Sequence, residues 1–317
     1  MSAVAEGFGD PHPSPLPLRR AREKPRPRRK SGLALLVGVP AVVCLVLLVV
    51  PLLVLLRFSF LVNIPGKGLT DQTTLHNYAV FATDEFYRGS IFVTILTALL
   101  VTAICLVLSF PVAYAYARTS FGPKGLLLIA ILSPFYIDIL VRIYAWMLLL
   151  GRNGPVDKVL LGLGLLKEPI DFRSGYLGIV IILVYVTLPF MILSLIGPLQ
   201  GIDDSVVEAA QVCGAEPGRV FGTVMLPLSI PGVVAGTILS FSVGISAFVV
   251  PLLVGGKIGQ QFLAVVVYGS MNIYQDWALG AAASAILLVA SMGIVLAYNR
   301  IVRSLRVGTV MSEQFAA

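Results

Sequence analysis

The sequence predicts an all-α polytopic membrane protein with six transmembrane helices. Hydrophobic residues make up 57% of the 317-residue chain and charged residues only 12%, against about 25% charge in a soluble protein. Apolar runs recur that reach or exceed the 18 or so residues needed to cross a bilayer. The net charge of +7 would suggest nucleic acid in a soluble chain. Here it has to be read by position in a lipid bilayer, and no nucleic-acid partner is expected. Cys44, Cys105 and Cys213 form neither a disulfide framework nor a metal spacing, and are expected to be small buried hydrophobes.

The chain opens on a basic, proline-rich tail, residues 1–32, holding Arg19, Arg20, Arg22, Lys24, Arg26, Arg28, Arg29 and Lys30. It is expected to be disordered and held inside against anionic lipid. The apolar run that follows is too long for a signal-peptide h-region and lacks a cleavage site. Six spans are expected at about 33–56, 91–117, 126–150, 176–196, 231–254 and 279–302. Pro111 lies near the end of the second and Pro189 inside the fourth. All are helices, because backbone polar groups in hydrocarbon must pair within the segment. They form one six-helix transmembrane domain over 33–305, followed by a short tail at 306–317.

Lys and Arg placement orients the chain. The N-terminal cluster, Arg118 and Lys124 in the second loop, and Arg300, Arg303 and Arg306 at the end of span six put both termini in the cytoplasm. The 151–175 loop, assigned outside, carries Arg152, Lys158, Lys167 and Arg173 against Asp157, Glu168 and Asp171. The 199–230 loop, assigned inside, has Arg219 against Asp203, Asp204, Glu208 and Glu216.

Span three holds Asp138 near mid-membrane and Arg142 one turn on, on a shared helix face. A charge there must meet a partner or a cavity, at a cost of about 3 kcal/mol if it does not. Either the two neutralise one another, or Asp138 meets a cationic solute with Tyr136, Tyr144 and Trp146 nearby for cation–π contact. In span five Gly232, Gly236, Ser240 and Gly244 recur every four residues. Such a face lets helices approach closely in lipid, for packing or for lining a pore.

Between spans four and five, residues 205–227 read as helix–turn–helix. Ser205 and Glu208 have capping-box spacing. Gly214 is a left-handed stop, and Pro217 suits a first helical turn. Val220, Phe221, Val224 and Met225 pattern a second helix that ends at Leu226-Pro227. On residues alone this is a capped amphipathic hairpin lying on the membrane. Its spacing also resembles the EAA motif of ABC-importer permeases, matched by Glu208, Ala209, Ala210, Gly214, Val224, Leu226 and Pro227, with valine for isoleucine. The resemblance implies a cytoplasmic loop that docks into a groove of a separate ATPase subunit.

The likeness covers about 33–305. Pro134, Phe135, Arg142, Tyr144, Ala145, Trp146, Leu149, Leu150, Gly151, Asn153 and Gly154 resemble the P-F…R-x-Y-A-W…L-L-G-x-x-G stretch of spermidine/putrescine-type permeases. Pro111 and Tyr114, Leu188-Pro189-Phe190, Phe248 and Pro251 with Gly255-Gly256, and Asp276-Trp277 also fit. Asp138 departs from the pattern, where a small polar residue is expected. The resemblance implies a type I ABC importer in a bacterial inner membrane: a second permease subunit, two copies of an ABC ATPase subunit that bind ATP and Mg, and an extracytoplasmic solute-binding protein. This chain would bind no cofactor and hold no catalytic or metal site. Its substrate path would draw on Tyr136, Asp138, Arg142, Tyr144, Trp146, Phe248 and Asp276. The solute expected is a polyamine, with opines, aminobutyrate-like compounds and organophosphonates as alternatives. A secondary transporter or channel is weighed against this, but no inverted repeat is evident. For an enzyme, the two histidines, His12 and His76, stand outside any H-E-x-x-H, and neither G-x-S-x-G nor Walker A occurs.

Overall fold

The computed structural model describes residues 30–64, 66–118 and 124–314. The disorder expected of the basic tail falls on residues outside this range up to position 29, as does the 119–123 part of the second loop. Residues up to Pro51 and from Leu52 onward form two compact units, taken here one at a time. The first is the body of helix α1 (Lys30–Ser59), which contains Pro40 and Pro51. Up to Pro51 its described side chains are exposed or half-buried, Cys44 among them.

The second unit is built on three long helices. They are α3 (Glu85–Arg118), α7 (Tyr176–Gln200) and α10 (Leu226–Ile245). At 34 residues, α3 is roughly 51 Å long. It therefore overruns a hydrocarbon core of about 30 Å. The three pack through small residues. Gly232, Gly236, Ser240 and Gly244 are all buried. A Cβ on Gly232 would lie 2.6 Å from the Ser194 carbonyl oxygen, and one on Gly236 2.5 Å from the Met191 sulfur. Gly244 faces Ala98 of α3 at 3.4 Å. The stripe is thus filled by this chain's own helices, which decides for packing over pore lining. Around it Val101, Cys105, Ile179, Ile182, Leu183, Met191 and Leu195 are almost wholly buried. The hydroxyls here turn back on their own helices: Thr94 donates to the Ser90 carbonyl, Thr97 to Val93 and Thr102 to Ala98. That satisfies a polar group without leaving the helix.

Elements at one end bind the long helices together. A hairpin of β1 (Leu61–Ile64) and β2 (Gly68–Thr73), the one departure from an all-α chain among the described residues, precedes the short α2 (His76–Thr83). Asn77 is buried and donates to the carbonyls of Ser59 and Leu61; His76 is exposed. The 151–175 loop carries α6 (Pro155–Gly162). Its Asp157 is fully buried and accepts from the Asn153 and Ile170 amides, so it closes the loop on itself and holds Asn153 at φ +61. In the same loop, burial works to raise the Asp171 pKa. Hydrogen bonds and charge from Arg173, with Ser174, outweigh it, so the carboxyl titrates below its ordinary value.

Two expectations about the spans need correcting. Span three is not one helix. It is α4 (Lys124–Tyr136) and α5 (Ile139–Leu150), with a bend of 102° at the break. Five helices are long and apolar enough to cross, or six if the bent pair is one span, among the described residues. Span five begins before residue 231 and breaks after Ile245, resuming as α11 (Val249–Leu253). Short α12 (Gly256–Gly259) and α13 (Leu263–Tyr268) follow, and a π-turn at Gly269–Ile273 continues α13. The Leu263 amide donates to Thr94 Oγ1 at 2.8 Å, which fixes that short apolar piece to α3. The last helix, α14, runs Trp277–Gln314, and its apolar part, Trp277–Arg300, agrees with the expected span six. Of the cysteines only Cys105 is buried; Cys213, like Cys44, is exposed.

Gly232→Ala should cost about 1–3 kcal/mol by overpacking, because the nearest atom is backbone. Gly293→Ala on α14, with nothing within 4 Å, should cost nothing. Thermal unfolding of the two variants in detergent checks this.

Candidate functional site: a docking hairpin and a broken span

The polar insert folds as helix α8 (Asp204–Val212), a turn, and α9 (Pro217–Val220). The capping box is not formed. The helix starts one residue before Ser205, with Asp203 at the cap position and no side-chain cap bond. Asp204 instead puts a negative charge in the first turn, where the helix dipole favours it. It pairs with Arg118 at the end of α3.

The stop is as the sequence requires. Gly214 takes φ +84; its amide bonds the Gln211 carbonyl at 2.9 Å, and the Ala215 amide bonds Ala210 at 3.1 Å. These are the two bonds of a Schellman turn. Pro217 then opens α9 in its first turn.

The second helix does not end at Leu226-Pro227. It passes through a π-turn, Phe221–Met225, straight into α10. The Leu226 amide reaches back five residues to Phe221. Pro227 has no N–H to give, and the wider turn makes room for its ring while keeping the helix joined.

No residue of α8 is buried. Glu208, Ala209 and Gly214 are exposed, as are Leu226 and Pro227; Ala210 and Val224 are half-buried. Val206 is 44% and Val212 88% exposed. The result is a nine-residue helix that exposes two carboxylates, Asp204 and Glu208, and several apolar groups.

The second candidate region is the bend in span three. Asp138 is the N-cap of α5, accepting from the Leu140 amide at 2.8 Å. That local bond competes with helix continuation and explains why the span breaks. Asp138 is consequently exposed, not sequestered at the middle of a continuous helix. Among the described residues the ion pairs are Arg57–Asp71, Arg118–Asp204 and Arg173–Asp171, so Asp138 and Arg142 do not neutralise each other. Arg142 is half-buried, and its Nε is buried without a hydrogen-bond partner. Tyr136 is 87% and Tyr144 53% exposed, and Leu140, Val141 and Leu148 of α5 are exposed as well.

Other residues of that stretch act as joints. Trp146 packs on Tyr185 with ring centroids 5.3 Å apart, and Phe135 on Phe190 at 5.0 Å, edge to face. Both contacts seat the bent pair on α7. Phe248 stacks on Tyr268 at 5.1 Å. Asp276 is half-buried and caps α14 by accepting from the Leu279 amide. It belongs to the hairpin end, where Asn63 donates to the neighbouring Gln275 carbonyl. The structure therefore gathers Tyr136, Asp138, Arg142 and Tyr144 on one bent element and leaves Phe248 and Asp276 on others. Sequence reasoning missed Arg118 and Asp204 as a pair, because 86 residues separate them and each had been counted only as a loop charge.

Comparison with known proteins places this geometry. A family model described as "Binding-protein-dependent transport system inner membrane component" matches residues 33–307. The spermidine/putrescine transport system permease protein PotB of Salmonella typhimurium (strain SL1344) is 33% identical over 246 residues, 78% of this chain and 85% of that protein. PotB of Escherichia coli (strain K12) is 32% identical over 255 residues, 80% and 92% of the two chains. A chain in the crystal structure of a bacterial alginate ABC transporter, in complex with alginate pentasaccharide-bound periplasmic protein, superposes with a TM-score of 0.69. Its identity is 16%, with 86% of this chain and 95% of that one covered. That likeness concerns the fold.

Asp138→Ala should destabilise the protein by about 1 kcal/mol through loss of the cap, while Asp138→Asn, itself a good cap, should be nearly neutral. Parallel melts in detergent compare them.

Proposed function

Because this chain belongs to the family of binding-protein-dependent transport system inner membrane components, the non-catalytic permease subunits of bacterial ABC importers, we propose that it forms with a second permease the path for a polyamine of the spermidine/putrescine kind. Two ATPase subunits bind ATP and Mg beneath the pair of permeases, and one of them docks on α8. A solute-binding protein delivers the ligand from the opposite face, and both termini lie in the cytoplasm.

The observation that carries the coupling role is α8 itself. It is a helix without one buried residue, closed by a rigid turn and joined at both ends to long spans. Apart from Val207, which rests half-buried on the core, the helix leaves its side chains open to be covered. ATP-driven closure of the ATPase dimer moves it, and the permease core follows between two states that the partners bind unequally.

The solute reading rests on the relatives and on the bend. Asp138 offers a carboxylate with no basic side chain paired to it, beside the exposed rings of Tyr136 and Tyr144. An ammonium gains from both a charge and a π face. A second reading has its own observation: Arg142, one turn away, also lacks an acidic partner and has a free Nε. An anion and a cation one turn apart suit a zwitterionic solute such as an aminobutyrate-like or opine compound.

Gentle-detergent purification of the tagged protein from native membranes is expected to recover an ATPase, a second permease and a solute-binding protein. Glu208→Lys, an exposed change worth within about 0.5 kcal/mol of stability, should lose the ATPase and keep the fold. Gly214→Pro should also lose it, since a proline ring holds φ near −65°. Recovery of the wild-type protein alone, or of either variant with normal ATPase, counts against docking on α8.

In reconstituted vesicles Asp138→Asn should cut spermidine uptake about tenfold, the equivalent of about 1.4 kcal/mol. Undiminished uptake would remove Asp138 from the path. Uptake of a zwitterion that needs Arg142 as well, with none of spermidine, would select the second reading.

A further inference from the structure

We propose that Arg118 is a positioning residue for the docking helix: its ion pair with Asp204 fixes α8 to the end of α3, so that movement imposed on α8 reaches the packed core directly. This rests on the reading of α8 as the ATPase contact.

The need for such a device follows from the burial pattern. Behind α8 stands the Schellman turn, which fixes it to the hairpin only. Ahead of it Ile202 is buried, and Val207 lies half-buried against the core. These contacts set where the helix sits and leave its own charged first turn to be anchored.

Arg118 supplies that anchor. It is the last residue of α3 and Asp204 the first of α8. A cation at a helix C-terminus and an anion at an N-terminus are each stabilised by the local dipole, so both helix ends favour this one pair. The arginine side chain is 20% exposed and the aspartate 81%. The guanidinium is therefore held by the bundle and reaches out to the docking helix, unlike two long side chains meeting in water. Its second terminal nitrogen is buried with no other hydrogen-bond partner, which makes Asp204 the partner that neutralises it.

The same helix grips the insert a second time. Phe110 of α3 meets Phe221 of the π-turn edge to face, centroids 4.9 Å apart. Hence α3 holds the docking hairpin at its entry by charge and at its exit by aromatic packing. Since α3 also packs along α7 and α10 through Ala98 and Val101, displacement of the hairpin is displacement of the core.

The test uses the assembled importer, purified with its ATPase, reconstituted with its binding protein and given spermidine. R118E and D204R are each expected to raise ATP hydrolysed per spermidine imported about tenfold, with the ATPase still bound. The exchanged pair R118E/D204R and the conservative R118K should return to within about threefold of wild type. Rescue by exchange is a result that simple loss of stability does not produce. Singles with the wild-type ratio, or an exchanged pair no better than the singles, overturn the proposal.

If a single variant fails to reach the membrane, R118C/D204C in a background lacking the native cysteines is read instead. Coupling should be kept when that pair is oxidised and lost on reduction; equal coupling in both states overturns the proposal. Wild type that retains no ATPase overturns the docking reading and this proposal with it. Wild type that keeps its ATPase but imports no spermidine overturns only the solute reading. The pair is then judged by maleimide labelling of L99C on α3, which ATP should alter in the parent and not with R118E added; an ATP response in both overturns it.

Discussion

The rest of the structure depends on the requirement that every backbone N–H and C=O within hydrocarbon be paired by the protein itself. In water a chain can break a helix and let solvent take up the loose ends. Here each break carries its own replacement bond. At Pro227 the missing donor is absorbed by a π-turn, with the Leu226 amide reaching Phe221. At the bend in span three, Asp138 receives the Leu140 amide. At the start of α13, Leu263 is received by the Thr94 hydroxyl of another helix. The break at Pro227 lies at the end of the docking hairpin and that at Asp138 in the exposed bend, the two regions that carry the proposed roles.

A rigid centre makes those irregularities affordable. Gly232, Gly236 and Gly244 bring α10 against α7 and α3 with no room for a Cβ at the first two. Lipid offers no hydrophobic drive for helix association, so close packing supplies the attraction. With α3, α7 and α10 locked, the bent α4–α5 pair hangs on α7 by the Phe135–Phe190 and Trp146–Tyr185 contacts. The docking hairpin hangs on α3 by Arg118–Asp204 and Phe110–Phe221. The proposed roles are thereby divided by position: a fixed core, one polar bend for a solute, and one exposed helix for a motor subunit. No group of three or more His, Cys, Asp or Glu able to hold a metal occurs among the described residues, and the division asks for no bond-making chemistry in this chain.

The sequence alone determined the class, the approximate spans and the Gly214 stop. Span composition is a local property, set by residue after residue of apolar side chains, and a left-handed stop needs glycine whatever lies around it. The EAA spacing from Glu208 to Pro227 was legible for the same reason: it is short-range. The capping role of Ser205 was misread because two acidic residues just ahead of it offered an earlier start, and one of them had a partner on another helix. Tertiary structure decided what periodicity cannot express. A run of apolar residues from 126 to 150 reads as one helix until Asp138 is seen to cap its second half. A proline reads as a terminus until a π-turn carries the helix past it. Whether a small-residue stripe packs or lines a pore depends on what stands opposite, and here that is Ser194, Met191 and Ala98. The Arg118–Asp204 pair lies furthest from reach: charges 86 residues apart become neighbours only once three helices have packed, because proximity is a property of the fold and not of the chain.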